Sequence, residues 1–466
     1  MEISHFYHAL KINTELCIGC SHCMRVCPTQ AIRIRGGKAF LYPNRCIDCG
    51  QCYAVCPITA IYVSQDDFNR IYDFKYRVAL VPDVLMGQFN ENFCTDVSPE
   101  LVSEVLKEMG FTQVVEIEQM VDFIMDAQQK YVNEHAEIKP LISTYCPAIV
   151  RLIQVKFPSL TENLMLLKQP LDVAAINCKQ DLLRQGAKEE EIGIFYITPC
   201  AAKIAAVKKP VGEEKSTIDG IINLDFIFNK ILRKIKEEKL DHPLKNKSKN
   251  SSVDEQKHLS SIGALWSLSA GELSHIKGRK LAIDGIAHVN AFLEKLEDLD
   301  ESDIDFLELK ACDHGCAGGI LLSGSRFLII EQMHKRAQQI IEREKKGEST
   351  PLPLDPERIR YLSNNLAVEK VHPRSMMKLD KDISVAMKKM AQIREMMELL
   401  PKKDCGICGA PSCQALAEDI ANEEGDLKDC IFMQTYLEET GNMDGSERVE
   451  LFKKIWGEDI FNQYKE

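Results

Sequence analysis

The residues best suited to chemistry are cysteines, because the chain of 466 residues contains 18 of them and most stand in short runs. A reducing compartment does not store cysteines as disulfides, and tight runs differ from the scattered pairs that disulfides need. Thiolates are good ligands for zinc and for iron–sulfur clusters. The cysteines therefore predict metal-centred chemistry.

Two runs near the start of the chain share the spacing Cys-x2-Cys-x2-Cys-x3-Cys-Pro, at residues 17–28 and 46–57. This spacing places three thiolates of each run on one [4Fe-4S] cluster and sends the fourth to the other cluster. Zinc modules do not use two copies of this pattern, so we predict two [4Fe-4S] clusters, and the segment resembles a bacterial ferredoxin domain. The predicted ligands are Cys17, Cys20, Cys23 and Cys56 for the first cluster, and Cys46, Cys49, Cys52 and Cys27 for the second.

A third run offers four more thiolates, namely Cys405, Cys408, Cys413 and Cys430. Short turns between the first three let backbone N–H groups point at sulfur, and the fourth can return from the helix that follows. Zinc held by the same thiolates is the alternative. The string at 404–413, Asp-Cys-Gly-Ile-Cys-Gly-Ala-Pro-Ser-Cys, resembles the small [4Fe-4S] domain of electron-transfer and corrinoid-linked proteins, which favours iron.

Four of the six remaining cysteines stand in three strings: Thr-Tyr-Cys146-Pro-Ala, Thr-Pro-Cys200-Ala-Ala-Lys203 and Ala-Cys312-Asp-His-Gly-Cys316-Ala-Gly-Gly. These strings resemble the three cysteine motifs of the [FeFe]-hydrogenase catalytic domain, in the same order. Segments at 218–223, 269–272 and 286–291 also stand where that family has related strings. With the ferredoxin-like segment, the resemblance covers residues 1–330.

The resemblance implies an H-cluster, in which a [4Fe-4S] cluster is joined to a di-iron subsite that bears CO, cyanide and a bridging dithiolate. It also implies that Lys203 holds a cyanide, and a buried cation beside anionic ligands is electrostatically favoured. The cofactors would then be four [4Fe-4S] clusters and one di-iron subsite, leaving Cys94 and Cys178 as buried apolar thiols. The implied H-cluster ligands are Cys146, Cys200, Cys312 and Cys316, with the Cys316 sulfur as the bridge to the subsite.

The sequence departs from the family pattern around the implied subsite. Catalytic members have a second cysteine immediately before the first ligand, as the terminal proton donor, whereas this chain has Tyr145. Tyr145 is either a slow relay or a residue that fills space. The family glutamate three residues after the lysine is Ala206 here, and the glycine run after Cys316 is shortened and followed by Ile320. The proton relay is therefore altered, and low activity is expected.

Other charged residues are candidates for the altered relay. Three acidic residues stand one helical turn apart, and three more polar residues flank the bridging motif. Solvated surface charge is the alternative for each of them. The candidates are Glu118, Asp122 and Asp126, together with Lys310, Asp313 and His314.

Hydrophobic periodicity predicts the elements that position these residues. A buried strand from residue 77 is followed by a helix at 100–109, and this alternation recurs as far as residue 309. Repeated strand–helix units predict an α/β domain of mostly parallel sheets flanked by helices. The four H-cluster cysteines would converge at the carboxyl edge of such a sheet, where ligand sites in open α/β folds lie.

We predict three domains. Residues 1–70 form an α+β two-[4Fe-4S] ferredoxin domain, residues 74–380 an α/β hydrogenase-like domain, and residues 381–466 a helix with a small α-rich [4Fe-4S] domain. The Lys/Ser/Asn-rich stretch at about 235–261 predicts a solvated insertion, with a partner-docking segment as the alternative. The methionine stripe within 382–400 predicts core packing.

Composition limits the partners. A total of 58 Lys and Arg against 70 Asp and Glu, a net charge of −12, lacks the basic footprint that nucleic-acid binding requires. No stretch approaches the roughly 18 apolar residues of a membrane span. The first residues lack the features of a signal peptide. We therefore expect a cytoplasmic protein with neither nucleic acid nor membrane as its partner.

The resemblance implies a protein that binds H2 and splits it heterolytically and reversibly, with electron transfer through the [4Fe-4S] clusters. The altered relay favours slow turnover and hydrogen sensing in an anaerobic cell, with a separate signalling protein. Alternatives are a ferredoxin-linked metabolic [FeFe] hydrogenase and a non-enzymatic iron–sulfur assembly or scaffold protein. Expected partners are H2 and protons, a ferredoxin-like electron carrier and maturation proteins for the di-iron subsite, and a homodimer is left open.

Overall fold

The computed structural model describes residues 6–89, 97–241, 258–299, 302–348, 350, 352–374, 379–380 and 382–464. The chain packs into two compact units. The first unit comprises residues 1–64, 152–158 and 373–466, and the second comprises residues 65–151 and 159–372. Cys94 and most of the insertion predicted at 235–261 lie outside the described residues.

The N-terminal segment contains short strands and one-turn helices. In chain order they are β1 (Leu10–Ile12), α1 (His22–Arg25), β2 (Ile32–Arg35), β3 (Lys38–Leu41), α2 (Gln51–Ala54) and β4 (Ile61–Val63). β1 pairs with β4 and β2 with β3, both antiparallel. Left-handed backbone at Gly19 and Gly50 turns the chain between successive cysteines, so the helices stay short. The predicted α+β ferredoxin-like segment is confirmed.

The middle of the chain alternates strands and helices. Its first half contains β5 (Tyr76–Val81), α3 (Val84–Gly87), α4 (Pro99–Glu108), β6 (Gln113–Glu116), α5 (Val121–Glu134), β7 (Leu141–Ile142), α6 (Pro147–Lys156) and α7 (Pro170–Arg184). Its second half contains β8 (Ile192–Thr198), α8 (Ala201–Lys208), β9 (Gly220–Asn223), α9 (Leu224–Asp241), β10 (Lys280–Asp284), α10 (Ile286–Glu297), β11 (Phe306–Lys310), α11 (Arg326–Lys345) and α12 (Pro356–Asn364).

These strands form two parallel sheets. Their orders are β6-β5-β8-β9 and β10-β11-β7, and every neighbouring pair is parallel. All seven residues of β8 are buried, because β5 and β9 flank it and α7, α8 and α9 pack against it. The predicted parallel α/β fold is confirmed. The strand β9 was not predicted, since Gly220–Asn223 contains only two apolar residues between its polar or small ends.

An aromatic cluster fills the core beside β8. The ring of Phe195 contacts the rings of Phe74 and Phe111, with centroids 5.8 and 6.3 Å apart. Glycines make room for these rings, since a Cβ on Gly193 would lie 2.4 Å from the Phe74 ring, and one on Gly220 would lie 2.5 Å from Phe195. The large aromatic rings therefore pack where the neighbouring strand residues have no side chain.

The C-terminal segment is helical, as predicted. Its helices are α13 (Ile383–Leu399), α14 (Cys413–Ala421), α15 (Ile431–Glu439) and α16 (Gly445–Trp456). Asp382, Ser412 and Asp444 begin three of them by accepting backbone N–H hydrogen bonds, as N-cap residues do. Among the helices of the described residues, none combines the length and the apolar character that crossing a bilayer demands.

The prediction that the methionine stripe of α13 is core packing is wrong for the first half of the helix. Ile383 is 79% exposed, Met387 68% and Met390 41%. Only the second half, around the buried Ile393, joins the core with α14. The reason is length, because the nine-residue α14 can cover only about half of the seventeen-residue α13.

The prediction of a solvated insertion at 235–261 is wrong at both described ends. α9 continues to Asp241, and Ile235 within it is buried. Beyond the gap, Leu259 is also buried, and the hydroxyl of Ser260 donates to Asp122 at 2.7 Å. The segment is polar in overall composition, so these two buried apolar residues were not recognised from the sequence. They pack the described ends of the segment against the core.

We expect Leu80→Ala to lower the free energy of unfolding of the second unit by about 2–5 kcal/mol, because Leu80 is fully buried in β5. Leu299→Ala is the matched control, since Leu299 is 60% exposed and should cost no more than about 0.5 kcal/mol. Urea unfolding can be followed by the fluorescence of the buried Trp266 in the same unit. Equal shifts in both variants would contradict this account of the core.

Candidate functional site

The four thiols predicted for the first cluster line one small cavity in the N-terminal segment. We call Cys17, Cys20, Cys23 and Cys56 the first set. Burial, together with the charges of the nearby Cys17 and Cys20, raises the pKa of Cys23 to about 12. The backbone N–H of Ala39 donates to the sulfur of Cys17 at 3.3 Å. The side chains therefore face a common space from both cysteine runs.

The structure also brings Cys27 to the cysteines of the second run. We call Cys46, Cys49, Cys52 and Cys27 the second set. Burial raises the pKa of Cys49 to about 12, and the charge of Cys27 is the next cause. Burial also raises the pKa values of Cys46 and Cys52, to which Cys27 again contributes. The N–H of Ala31 donates to Cys27 sulfur at 3.1 Å.

Two residues beside the second set were missed from the sequence. His8 Nδ1 lies 2.8 Å from Asp48 Oδ2, and both side chains are buried. The other oxygen of Asp48 accepts the N–H groups of Ala9 and Leu10, and its own N–H donates to Cys46 sulfur at 3.4 Å. Asp48 has a left-handed backbone and thereby turns the chain around the set. Spacing alone does not reveal such a supporting residue.

The C-terminal set consists of Cys405, Cys408, Cys413 and Cys430. Burial raises the pKa of Cys408 to about 11, with Cys430 and Cys405 contributing through their charges. Burial likewise raises the pKa of Cys430, to which Cys413 and Cys405 add. Three of the four thiols join the core that α13 and α14 enclose. The four side chains thus lie within one another's electrostatic reach.

All three sets suit a bound metal cluster for the same physical reason. Neighbouring buried thiols oppose one another's ionisation, so four thiolates are unfavourable without cations to compensate them. Backbone N–H groups aimed at sulfur, such as those of Ala31 and Ala39, stabilise the ionised form. The donor sets fit iron–sulfur clusters, whose irons would supply the missing positive charge.

The cysteines of the implied H-cluster follow parallel strands. Cys146 stands between β7 and α6, Cys200 between β8 and α8, and Cys312 and Cys316 follow β11. Burial raises the pKa of Cys200 to about 12, and Cys146 and Cys316 add to this shift. The backbone of Ala311, next to Cys312, hydrogen-bonds to the Cys146 thiol. We call Cys146, Cys200, Cys312 and Cys316 the catalytic set.

Tyr145 lies between two lysines beside the catalytic set. The Nζ atoms of Lys203 and Lys310 lie 4.6 and 5.0 Å from its ring centroid, within the range of cation–π attraction. The Cys316 sulfur is 3.8 Å from the Tyr145 hydroxyl. Burial raises the pKa of Tyr145 well above its usual value, and the charge of Cys316 adds to the rise. The phenol therefore stays neutral and in contact with the sulfur.

Glu118 is the one carboxylate among the relay candidates that is fully buried. Its Oε2 accepts the N–H of Asp83 at 3.1 Å, and its Oε1 has no hydrogen-bond partner among the described residues. Burial raises the pKa of Glu118 to about 8, while the charge of Lys203 opposes the rise. A carboxyl group of this kind can carry a proton near neutral pH.

The candidate relay side chains differ in how far they are exposed to solvent. Surface charge is the wrong interpretation for Glu118 and Lys310, which are 1% and 2% exposed. Asp122 is half-buried and accepts from Ser260. The exposed candidates are Asp126, Asp313 and His314.

Lys310 is fixed by a buried polar network that sequence reasoning missed. Its Nζ lies 2.9 Å from Glu308 and also donates to the carbonyls of Trp266 and Leu268. Glu308 in turn accepts the N–H of Glu272 at 2.9 Å. Burial raises the pKa of Glu272 to about 7, and Glu308 adds to the shift. The only sequence signal was polar residues within an otherwise apolar strand.

A cavity of about 120 Å³ lies against Tyr145 and Lys203. Its lining is mainly apolar, with Lys168 and Asp172 among the polar side chains. Ala206 also lines it, at the position where the resembled family has glutamate. The shorter side chain therefore leaves open volume beside the lysine.

Residues 75–276 match the family model "Iron only hydrogenase large subunit, C-terminal domain", residues 9–57 match "4Fe-4S dicluster domain", and residues 400–432 match "Putative Fe-S cluster". No curated protein matches the chain.

Solved [FeFe]-hydrogenases resemble the chain in structure. HydA(deltaEFG) is 14% identical, and the match covers 67% of this chain and 96% of that one with a TM-score of 0.47. A variant of HydA1 from Chlamydomonas reinhardtii is 13% identical, with 64% and 94% covered and a TM-score of 0.45.

We expect Lys310→Met to lower the free energy of unfolding by about 3–5 kcal/mol, because it leaves the buried carboxylate of Glu308 without its cation. Lys139→Met is the matched control, since Lys139 pairs with Asp305 at a site where both side chains are partly exposed, and about 1 kcal/mol or less is expected. Thermal unfolding measures both. If Lys139→Met lowered the free energy of unfolding as much as Lys310→Met, the argument from the buried charge would be refuted.

Proposed function

Since the chain contains a segment of the iron-only hydrogenase large subunit together with two iron–sulfur segments, we propose that it binds H2 and splits it reversibly. Electrons then pass through its [4Fe-4S] clusters. The chain is an [FeFe]-hydrogenase-like iron–sulfur protein. The proposal adds that turnover is slow and serves hydrogen sensing.

The observation that carries the proposal is the state of Lys203. It is only 6% exposed and forms no direct ion pair with a carboxylate of the described residues, and its charge acts on the buried Glu118 and Asp172 only at longer range. Burial lowers the pKa of Lys203, but Tyr145, Tyr196 and two cysteines favour its charged form, and the net shift is upward. A buried ammonium without an anionic partner is costly. Anionic ligands such as cyanide beside the catalytic set would compensate it.

We propose these roles for the residues around the H-cluster. The di-iron subsite, when bound, supplies the open metal position at which H2 is polarised and cleaved. The catalytic set would hold the cubane, and Cys316 would also contact the subsite. Lys203 orients cyanide through its charge and its hydrogen bonds. The Tyr145 hydroxyl donates to the Cys316 sulfur once that sulfur is a thiolate.

Proton delivery is proposed to involve Glu118 rather than a cysteine. Its buried, unpartnered Oε1 can hold a proton near neutral pH, and its charge is felt by Lys203 and Tyr145. Tyr145 is a weaker acid than the cysteine it replaces, by about 1.5 pKa units before burial, or roughly 2 kcal/mol. The relay is therefore slow at its last step, which supports a regulatory role rather than bulk H2 metabolism.

Two alternative functions would require different properties of the site. A ferredoxin-linked metabolic hydrogenase would need fast proton delivery, which Tyr145 and Ala206 disfavour. A non-enzymatic assembly or scaffold protein would hold a cubane in the catalytic set without the di-iron subsite. The unpaired, buried Lys203 favours a site with additional anionic ligands over such a scaffold.

The proposed partners follow from the proposed chemistry. H2 and protons are the reactants, and a ferredoxin-like carrier exchanges electrons with the clusters. Maturation proteins deliver the di-iron subsite, and a separate signalling protein receives the output. The cluster ligands are proposed as four sets of four cysteines, namely the first, second, C-terminal and catalytic sets.

We expect fully matured protein to contain about 18 iron atoms per chain, from four [4Fe-4S] clusters and one di-iron subsite. Infrared spectra of the same sample should show bands of bound CO and cyanide. About 16 iron atoms without those bands would instead indicate the scaffold alternative. A value near 8 with zinc present would contradict both the C-terminal cluster and the H-cluster.

We expect Tyr145→Cys to raise H2 turnover, because it supplies a more acidic donor at this position, while the resting infrared bands stay nearly in place. General-acid catalysis contributes about 10²- to 10⁴-fold, which bounds the gain. Tyr145→Phe is the matched control, since it keeps the ring between the lysines but lacks the hydroxyl. A normal H-cluster with unchanged turnover in Tyr145→Cys would show that proton delivery at this position is not limiting.

A further inference from the structure

We infer that the hairpin of β2 and β3 conducts electrons between the C-terminal set and the first set, and that Arg35 tunes the C-terminal set. The inference rests on the proposed function in one respect, namely that both sets hold [4Fe-4S] clusters. It goes beyond that function by giving the C-terminal set a fixed place in the electron relay. All the residues involved belong to the first unit.

Hydrogen bonds through the hairpin join the two sets. On one side, the N–H of Ala39 donates to the Cys17 sulfur of the first set at 3.3 Å. Ala39 lies opposite Ile34 in the hairpin, and the backbone of residues 34–39 connects the two. On the other side, the N–H of Ile34 donates to the carbonyl of Gly409 at 2.8 Å, and Gly409 directly follows Cys408. A continuous route of backbone and hydrogen bonds therefore runs from Cys17 to Cys408.

Glycine is required where this route enters the C-terminal segment. Gly409 has a φ of +74°, and a Cβ there would lie 2.4 Å from the carbonyl oxygen of Ile34. At Gly406, a Cβ would lie 3.0 Å from the methyl group of Met24, the neighbour of Cys23. The loop of the C-terminal set is thus held against both the hairpin and the loop of the first set.

The turn of the hairpin makes a second backbone junction. The N–H groups of Gly36 and Gly37 donate to the carbonyls of Lys454 and Ile455 in α16, at 3.0 and 2.9 Å. On the opposite side, a Cβ on Gly19 of the first cysteine run would lie 2.5 Å from the Gly37 carbonyl oxygen. The hairpin is therefore packed between the two cysteine-bearing segments and has little freedom to move.

Buried charges fix the same contact. Arg33 donates to both oxygens of Asp419, at 2.8 and 3.0 Å, and Arg35 donates to one of them at 2.7 Å. Arg33 and Asp419 are 1% and 3% exposed, and Arg35 is 28% exposed. Two guanidinium groups thus share one carboxylate, which leaves positive charge at this contact. Arg35 also donates to the Cys408 carbonyl at 3.3 Å.

A route toward the second set is less direct. The Ser412 hydroxyl lies 3.1 Å from Gln30 Oε1, and Gln30 stands three residues after Cys27. From Gln30 the route continues through the N–H of Ala31, which donates to Cys27 sulfur at 3.1 Å. It depends on a contact between two side chains, whereas the hairpin route consists of backbone and two hydrogen bonds to or near the cysteines. The hairpin therefore favours the first set as the electron partner of the C-terminal set.

The transfer itself involves one electron and no proton. When one cluster changes from the reduced 1+ state to the oxidised 2+ state, the other changes from 2+ to 1+, and no bond forms or breaks. Reduction adds negative charge at the C-terminal set, which the nearby guanidinium of Arg35 stabilises. Arg35 is thus a positioning residue that raises the reduction potential of that cluster.

The test is a redox titration of the full-length, cluster-loaded protein, followed by electron paramagnetic resonance. In the unmodified protein, the signal of the reduced C-terminal cluster should be broadened by a reduced ferredoxin cluster. Arg35→Gln should move the midpoint potential of the C-terminal cluster to more negative values, and Arg35→Lys should restore part of the shift. Asp419 keeps both of its bonds to Arg33 in these variants, so folding should be retained.

Arg448→Gln is the matched control, because Arg448 lies in the same segment and pairs with Glu438 at the surface. It should leave the midpoint potential unchanged. The inference is overturned if Arg35→Gln shifts the potential no more than this control, or if the C-terminal signal shows no interaction with a ferredoxin cluster. Iron near 8 atoms per chain with no third signal would instead contradict the proposed function itself.

Discussion

Thiolates crowded together away from water repel one another, and this repulsion is the constraint on which the rest of the structure depends. Burial is the first cause of the raised pKa values of Cys23, Cys49, Cys200 and Cys408, and neighbouring cysteines add to each. Such a cost is acceptable only where a cation or a metal cluster offsets it. The residues around the cysteines accordingly provide backbone N–H groups and cations that stabilise negative charge on sulfur.

The compensation differs between the cysteine sets. In the N-terminal segment it comes largely from backbone, since the N–H groups of Ala31, just before β2, and of Ala39, within β3, donate to sulfur. The C-terminal set adds a side-chain cation, because Arg35 reaches the Cys408 carbonyl. At the catalytic set, Lys203 is buried beside Cys200 and Cys316, whose charges favour its ammonium form.

Cysteine spacing and strand periodicity predicted the fold class and the candidate ligands, because both depend on local sequence. Contacts between segments that are far apart along the chain could not be predicted from the sequence. Asp48 supports His8 across forty residues, and Arg33 meets Asp419 only after the chain has returned. The exposed half of α13 was missed for a related reason, since periodicity identifies an apolar face but not whether a partner helix is long enough to cover it.

Tyr145 is held by contacts with several neighbouring side chains. Its ring lies within 5.0 Å of two ammonium groups, and one of these, Lys310, is held by Glu308 and two carbonyls. A cysteine at this position would offer no aromatic face to either cation, so the tyrosine ring makes contacts here that a thiol could not make. The open volume at Ala206 lies in the cavity beside the same ring. Tyr145, the two lysines and the groups that hold Lys310 therefore form one connected set of contacts beside the cysteines.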